Sequence, residues 1–311
     1  MYPRNSSQAL PFLLAGLPGM AQFHPWVLLP FGFLYLVAVL GNGTILLVVG
    51  VHRQLHQPMY YFLGLTLSTL PTVLRVFWSG AMEISLPACL IQMFCIHIFS
   101  FMESSVLLAT AFDRYTAFCC PLRYSSILTG ARVAQIGLGI ICRCTLLLLP
   151  LIRLLTWLPF CRSHVLSHPY SLHQGIIRLA CTDATLNSLY GFTLVLVVVL
   201  DSVLIMLSYV MIIRTVLGIT SREEQAKALN TRVSHFCAVL IFYILLAGLS
   251  IIHRYGRNLP PISHTVIANV YLFVPPILNP ILHSMRSKAI CKGLLGFLGQ
   301  RAAWPGRAQN C

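Results

Sequence analysis

Charge is what this chain has least of. Only 9% of its 311 residues are Asp, Glu, Lys or Arg, and the acids number 7. A soluble globular domain carries roughly 25% charged residues, so water is not the solvent this composition suits. A hydrophobic content of 57% and a mean hydropathy of +0.80 say the same. Also missing are any Cys-x-x-Cys pair, any His-Glu-x-x-His and any Walker-type glycine loop. Metal and nucleotide chemistry therefore lack a foothold, and neither a metal nor a cofactor is expected. The 11 cysteines are too few to form a disulfide framework in a chain this long. A net charge of +14 raises nucleic acid as a partner. The cations, however, form no basic arm and interleave with no stacking platform, so no nucleic acid is expected. They lie between apolar runs instead. Gly16, Pro18 and Gly19 interrupt any signal-peptide core, so insertion is expected to use the first apolar segment itself.

What is present is a series of seven apolar segments, each near the ~20 residues that span a bilayer. They run from Pro25 to Val51, Met59 to Trp78, Pro87 to Phe118, Val133 to Leu151, Asn187 to Ile213, Ser234 to Ile252 and Ser263 to Met285. Only helices and closed barrels satisfy their backbones in lipid, and runs this continuous are helices. The expected fold is all-α: a seven-transmembrane-helix bundle over residues 25–286, preceded by an extracellular N-terminus (1–24). A cytoplasmic tail (287–311) completes the chain, in which Ser287 to Leu298 reads as an amphipathic eighth helix on the inner surface.

Orientation follows from the cations. With the N-terminus outside, the inner connections hold Arg53, Arg114, Arg123, Arg132, Arg214, Arg222, Lys227, Arg232, Arg286 and four more in the tail. The outer connections hold Arg4, Arg162, Arg178, Arg254 and Arg257, with Arg153 near the edge. Thirteen against five or six favours an outside N-terminus in the plasma membrane. Asn5-Ser6-Ser7 is then a glycosylation sequon on the correct side. Asn42-Gly43-Thr44 has the same pattern but lies mid-membrane.

At the inner end of the third segment stands Ala111-Phe112-Asp113-Arg114-Tyr115-Thr116-Ala117-Phe118-Cys119-Cys120-Pro121-Leu122-Arg123-Tyr124. Asp113 and Arg114 fall where a membrane helix meets water, because either would cost a few kcal/mol at the bilayer centre. Pro121 has no N–H to continue the helix. An Asp-Arg-Tyr here resembles the switch of G-protein-coupled receptors. The longer stretch, ending Pro-Leu-Arg-Tyr, is similar to odorant receptors. Further matches are Leu40-Gly41-Asn42, Leu55-His56-Gln57-Pro58-Met59-Tyr60-Tyr61-Phe62, Ser208-Tyr209, Lys227-Ala228-Leu229-Asn230-Thr231 and Pro276-Ile277-Leu278-Asn279-Pro280. Phe12-Leu13-Leu14-Ala15-Gly16-Leu17-Pro18-Gly19 and a long second outer loop resemble the class I, fish-like branch. The resemblance spans roughly residues 10 to 298.

This resemblance implies a receptor, not an enzyme, with a small odorant as ligand and the heterotrimeric stimulatory G protein as partner. Asp113, Arg114, Tyr115, Tyr209, Asn279, Pro280 and His283 would form the coupling switch. Asn42 and Asn279 carry polar groups that lipid cannot satisfy and must face the bundle. Pro280 leaves a carbonyl unpaired and permits a bend.

A ligand site in such a bundle should be apolar with few polar anchors. His97 lies two turns below Cys89. Ser250 and Arg254 share a helix face at i and i+4, and His173 and Gln174 sit on the loop that folds over the pocket in this family. A guanidinium can clamp a carboxylate with two parallel bonds. Receptors of this branch often favour carboxylic acids, so the resemblance implies a short aliphatic carboxylic acid as the ligand. Glu103 and Asp201 are expensive membrane acids, expected in bundle packing without a specific role.

Three departures from the family pattern stand out. About eight residues are missing ahead of Gly64-Leu65, which shortens the second helix by ~12 Å and turns its downstream residues by about 80°; the lost piece normally carries a sodium-binding acid, and Arg75 is unusual there. Relatives join a middle loop cysteine to the one heading the third helix, but here the middle position is Ser171. Cys89 then goes unpaired or takes another partner, for which Cys181 is expected; Cys161 with Cys181 is the alternative. Finally, His283 stands where relatives carry Tyr, and an imidazole is shorter than a phenol and titrates near pH ~6.5. These departures leave a receptor-derived chain that signals poorly as one rival reading. A transporter or channel is another; it predicts midplane half-helices or an internal repeat, and the sequence has neither.

Overall fold

The computed structural model describes residues 12–15, 81–160, 165–166, 170–218 and 221–255, with helical residues inside 29–40, 69–79 and 263–274. Its named elements are β1 (Phe12–Ala15), β2 (Ala81–Ile84), α1 (Leu86–Cys119), α2 (Tyr124–Ile127) and α3 (Gly130–Thr156), then β3 (Val165–Leu166), α4 (His173–Ile177), α5 (Thr185–Leu217) and α6 (Arg222–Tyr255). Helices α1, α3, α5 and α6 are the third to sixth apolar segments.

Each long helix starts and stops where the sequence dictates. Pro87 sits in the first turn of α1, where its missing N–H costs nothing. Pro121 ends that helix and opens a 3-10 turn, Pro121–Arg123. Thr129 caps α3 by accepting the Arg132 N–H at 3.4 Å. With 34, 27 and 33 residues, α1, α3 and α5 are each long and apolar enough to cross a bilayer, and α6 contains a shorter apolar stretch, Phe236–Ile252. Their outward faces are fatty: Ile91, Leu146 and Leu186 are each more than 60% exposed. Lipid covers such surface; water would not tolerate so much of it.

Helix α1 is the axis of the described bundle, packing against α5 and α3, while α6 packs on α5. Among the described residues, two apolar clusters lie in the interior. One joins Cys89, Met93, Leu148, Leu151, Leu194 and Val198 to the loops. The other, nearer the Asp-Arg-Tyr end, gathers Leu107, Ala111, Ile205, Tyr209, Val239 and Phe242.

A feature the helical pattern does not announce lies at the opposite end. Strand β1 runs between β2 and β3 in a three-stranded sheet, antiparallel to β2 (Phe12 opposite Ile84) and parallel to β3 (Leu13 opposite Val165). Phe12 and Leu14 are buried, and the Phe12 ring meets Phe160 edge-on at 5.4 Å.

Candidate functional site

A cavity of about 400 Å³ opens between α1, α5, α6 and the loop that carries α4. Most of its wall is aliphatic, from residues such as Ile96, Leu194 and Val198. Its polar lining comes from His97 and Ser100 on α1, His173 and Gln174 on α4, Ser202 on α5, Tyr243 and Ser250 on α6, and Tyr271. Four of the five residues singled out from sequence therefore share one cavity. The fifth, Arg254, lies one turn beyond Ser250 on α6, and its side chain falls outside the described residues. The volume lies at the small end of the ~300–1,000 Å³ typical of ligand pockets.

The loop roofs this cavity as a lid. Tyr170, Ser171, Leu172 and His173 are all buried. The Tyr170 O–H donates to the Ala268 carbonyl at 2.6 Å. Ser171 donates to Gln92 through its N–H and its hydroxyl, at 3.0 and 2.9 Å. The His173 ring abuts Gly191 of α5, so close that a Cβ there would stand 2.8 Å from its Cε1.

Beneath the cavity floor runs a polar layer. Arg143 on α3 donates to both Asp201 oxygens, at 2.8 and 3.0 Å, and to the Ser105 hydroxyl at 3.0 Å. Ser104 donates to Asp201 at 3.0 Å and shares a 2.9 Å hydrogen bond with the Tyr243 phenol. Tyr271 donates to Ser100 at 2.7 Å. Tyr243 thus touches the cavity on one side and a buried ion pair on the other. Asp201 thus serves the bundle packing expected of it, through named partners that tie α5 to α1 and α3. Glu103 is buried beside this layer, and its Oε2 has no hydrogen-bond partner among the described residues.

At the far end of α1, Arg114 pairs with its neighbour Asp113 at 3.6 Å. The Tyr124 O–H donates to the other Asp113 oxygen at 2.9 Å. That hydrogen bond, with burial adding to it, raises the Tyr124 phenol above its usual range. Tyr115 is half-buried there. Tyr209 is buried in the inner apolar cluster, edge-on to Phe236 at 5.2 Å. Asn5, Asn279, Pro280, His283 and the segment 287–298 lie outside the described residues, as does the shortened stretch before residue 69.

The cysteine pairing expected from sequence needs correction. Cys89 is a free, fully buried thiol that faces the Ser171 hydroxyl, and it does not bond to Cys181. Cys181 is disulfide-bonded. The other described cysteines are free, so its partner lies outside the described residues, as does the alternative Cys161. The physical reason is the location of the two residues. Cys89 is sealed under the lid, whereas Cys181 lies exposed beyond the Phe160–Ala180 bridge, its N–H donating to the Pro159 carbonyl.

Sequence reasoning missed Gln92, Arg143, Gly191, Tyr243 and Tyr271. For Arg143 a signal existed, since a cation inside an apolar run demands an acid on another helix.

A family model described as olfactory receptor matches residues 31–301. The chain is 51% identical to human olfactory receptor 51G2 over 295 residues, covering 92% of this chain and 94% of that protein. It is 50% identical to human olfactory receptor 51L1 over 302 residues (94% and 96%) and 48% identical to human olfactory receptor 51B5 over 300 residues (94% and 96%). Long apolar helices around a small cavity, an Asp-Arg-Tyr at the end of the central helix, and likeness over nine-tenths of the chain together place it: the chain belongs to the olfactory receptor family, on its class I branch, a family of seven-helix membrane receptors and not of enzymes.

Proposed function

We propose that this odorant receptor binds a short aliphatic carboxylic acid in the α1–α5–α6 cavity and passes the event to a stimulatory heterotrimeric G protein. The carrying observation is the convergence of His97, His173, Gln174 and Ser250 on one cavity that is otherwise aliphatic. An alkyl tail gains about 0.8 kcal/mol per buried CH₂, and the polar edge receives the headgroup. Arg254, one turn above Ser250, supplies the positive charge, and a guanidinium–carboxylate pair is bidentate when desolvated.

The inward signal has a route in this reading. A ligand pressing on Tyr243 disturbs its bond to Ser104 and so loosens α6 from the Asp201–Arg143 pair. Swinging α6 away bares Arg114, and Leu122, 98% exposed on the inner loop, offers the G protein an apolar foothold. The N-terminus faces outward, with Asn5 as its glycosylation site, in keeping with the cation tally.

The test is a cyclic-AMP dose–response series with linear acids from propanoic to decanoic. Arg254→Ala should cut potency by about 100-fold or more, as expected for losing a desolvated charge partner. An unchanged response to every acid would sink the clamp. The rival of a receptor-derived chain that no longer signals draws support from Ser171 and the free Cys89, which leave the lid without a cross-link to α1. Surface labelling of an N-terminal tag separates the two: retention inside the cell with no basal signal favours the rival.

A further inference from the structure

We propose that Gln92 is the latch of the lid, a positioning residue that holds His173 and Gln174 over the cavity through hydrogen bonds alone. The proposal rests on the cavity being the ligand site. Its geometry does not depend on which ligand enters.

Three segments meet at this one amide. The Ser171 backbone N–H can only donate, so the atom facing it must be the Gln92 oxygen, and the Ser171 hydroxyl donates to the same oxygen. That fixes the amide's other end. Its Nε2 donates to the Thr72 hydroxyl at 2.6 Å. Gln92 is 6% exposed, Ser171 0% and Thr72 7%, so water cannot replace any of these bonds. Leu172, His173 and Gln174, which line the cavity, come directly after Ser171 in the chain. No covalent bond ties this stretch to α1, because the Cys89 thiol one turn before Gln92 is free. Removing the amide leaves a buried backbone N–H with no acceptor, which the lid resolves by lifting into water. Cys89, fully buried beneath it, then becomes a reporter of the open state.

The experiment uses the full chain in cell membranes. A small methanethiosulfonate reagent is applied from outside, and modification of the Cys89 peptide is followed by mass spectrometry. In the parent, Cys89 should stay protected. In Gln92→Leu its modification rate should rise about tenfold or more, the effect of orphaning a buried donor. Gln92→Glu, whose protonated carboxyl can accept from Ser171 and donate to Thr72, should stay close to the parent, an outcome a purely volumetric role for residue 92 does not require. If Gln92→Leu fails to reach the surface, Ser171→Cys decides instead. Its thiol lies against Cys89, and the two should join as a disulfide, giving two electrons and two protons to added diamide and yielding a linked peptide. Equal protection of Cys89 in Gln92→Leu and parent, or a surface-delivered Ser171→Cys with no linked peptide, would overturn the latch. Neither readout involves an acid ligand, so a failed carboxylic-acid reading leaves this test intact, and the reverse holds too.

Discussion

Glycine at position 191 is a requirement of the lid, because the His173 imidazole occupies the space a methyl group would take. Gly191→Ala should push His173 off α5 and weaken agonist potency by about tenfold at unchanged surface level, a split read by pairing cyclic-AMP curves with tag labelling. Gly137 on α3 provides the control, since nothing lies within 4 Å of its missing Cβ. Gly137→Ala should be neutral or stabilising by up to about 1 kcal/mol in a thermal melt. How far single residues could be read from sequence varied with their chemistry. His97 and Ser250 were accessible because polar side chains on apolar helices are costly without a purpose, and His173 and Gln174 because of the family resemblance of the loop that carries them. Asp201 looked isolated and Arg143 was passed over, because the pairing that explains them joins α3 to α5, and no local spacing encodes a contact between helices. Cys89 misled for the same reason: pairing rules count cysteines, while burial under Ser171 decides whether a thiol can find a partner.

Among the elements, α5 illustrates both a membrane tie and an aqueous one. Inside the bilayer, the Asp201–Arg143 pair has one partner almost wholly buried. Asp201→Leu strands the arginine and should destabilise the detergent-solubilised receptor by about 3 kcal/mol, the low end for a broken buried pair because Arg143 is a third exposed. The paired change Arg143→Leu with Asp201→Leu should recover most of that loss. At its aqueous start, α5 is held by Asp183, whose carboxylate accepts the Thr185 N–H at 2.9 Å and the Thr185 hydroxyl. The Thr185 hydroxyl bond chiefly, with the backbone bond second, lowers the Asp183 pKa. A lowered carboxyl stabilises the fold above its unfolded value of about 3.9 and loses that contribution as pH falls through the lower folded value. Melting curves of parent and Asp183→Ala should therefore differ at pH 7 and converge at the acidic end of a titration. The long helices themselves were legible from apolar run length to within a few residues, except that α6 begins at Arg222, ahead of its apolar stretch. The sheet was not, because strands as short as β1 and β3 carry no alternation long enough to detect.

For the molecule as a whole, composition alone excluded a soluble protein, and the order of the apolar runs carried the fold. What that order cannot carry is which ends face the cytosol; only the cation tally speaks to it. Cysteine-scanning labelling on intact cells should find residue 124 protected and residue 165 accessible. The opposite result would overturn the outward N-terminus. Leu122 makes a second whole-molecule prediction, since it is almost wholly exposed among the described residues. Leu122→Asp should leave surface level and acid binding unchanged while abolishing the cyclic-AMP response, and an unaltered response would remove that loop from the G-protein contact.

The middle position of β1 has a consequence for biosynthesis. This strand leaves the ribosome first, yet one of its two neighbours, β3, is made only after α3 has been completed. Until then β1 has only its β2 side paired, and with the N-terminus outward, as proposed, the open edge would face the lumen of the secretory compartment, where chaperones bind such edges. On that reading, release from quality control should wait for Val165. A nonsense truncation anywhere before that residue should yield a product that is retained and degraded, however well its early helices insert.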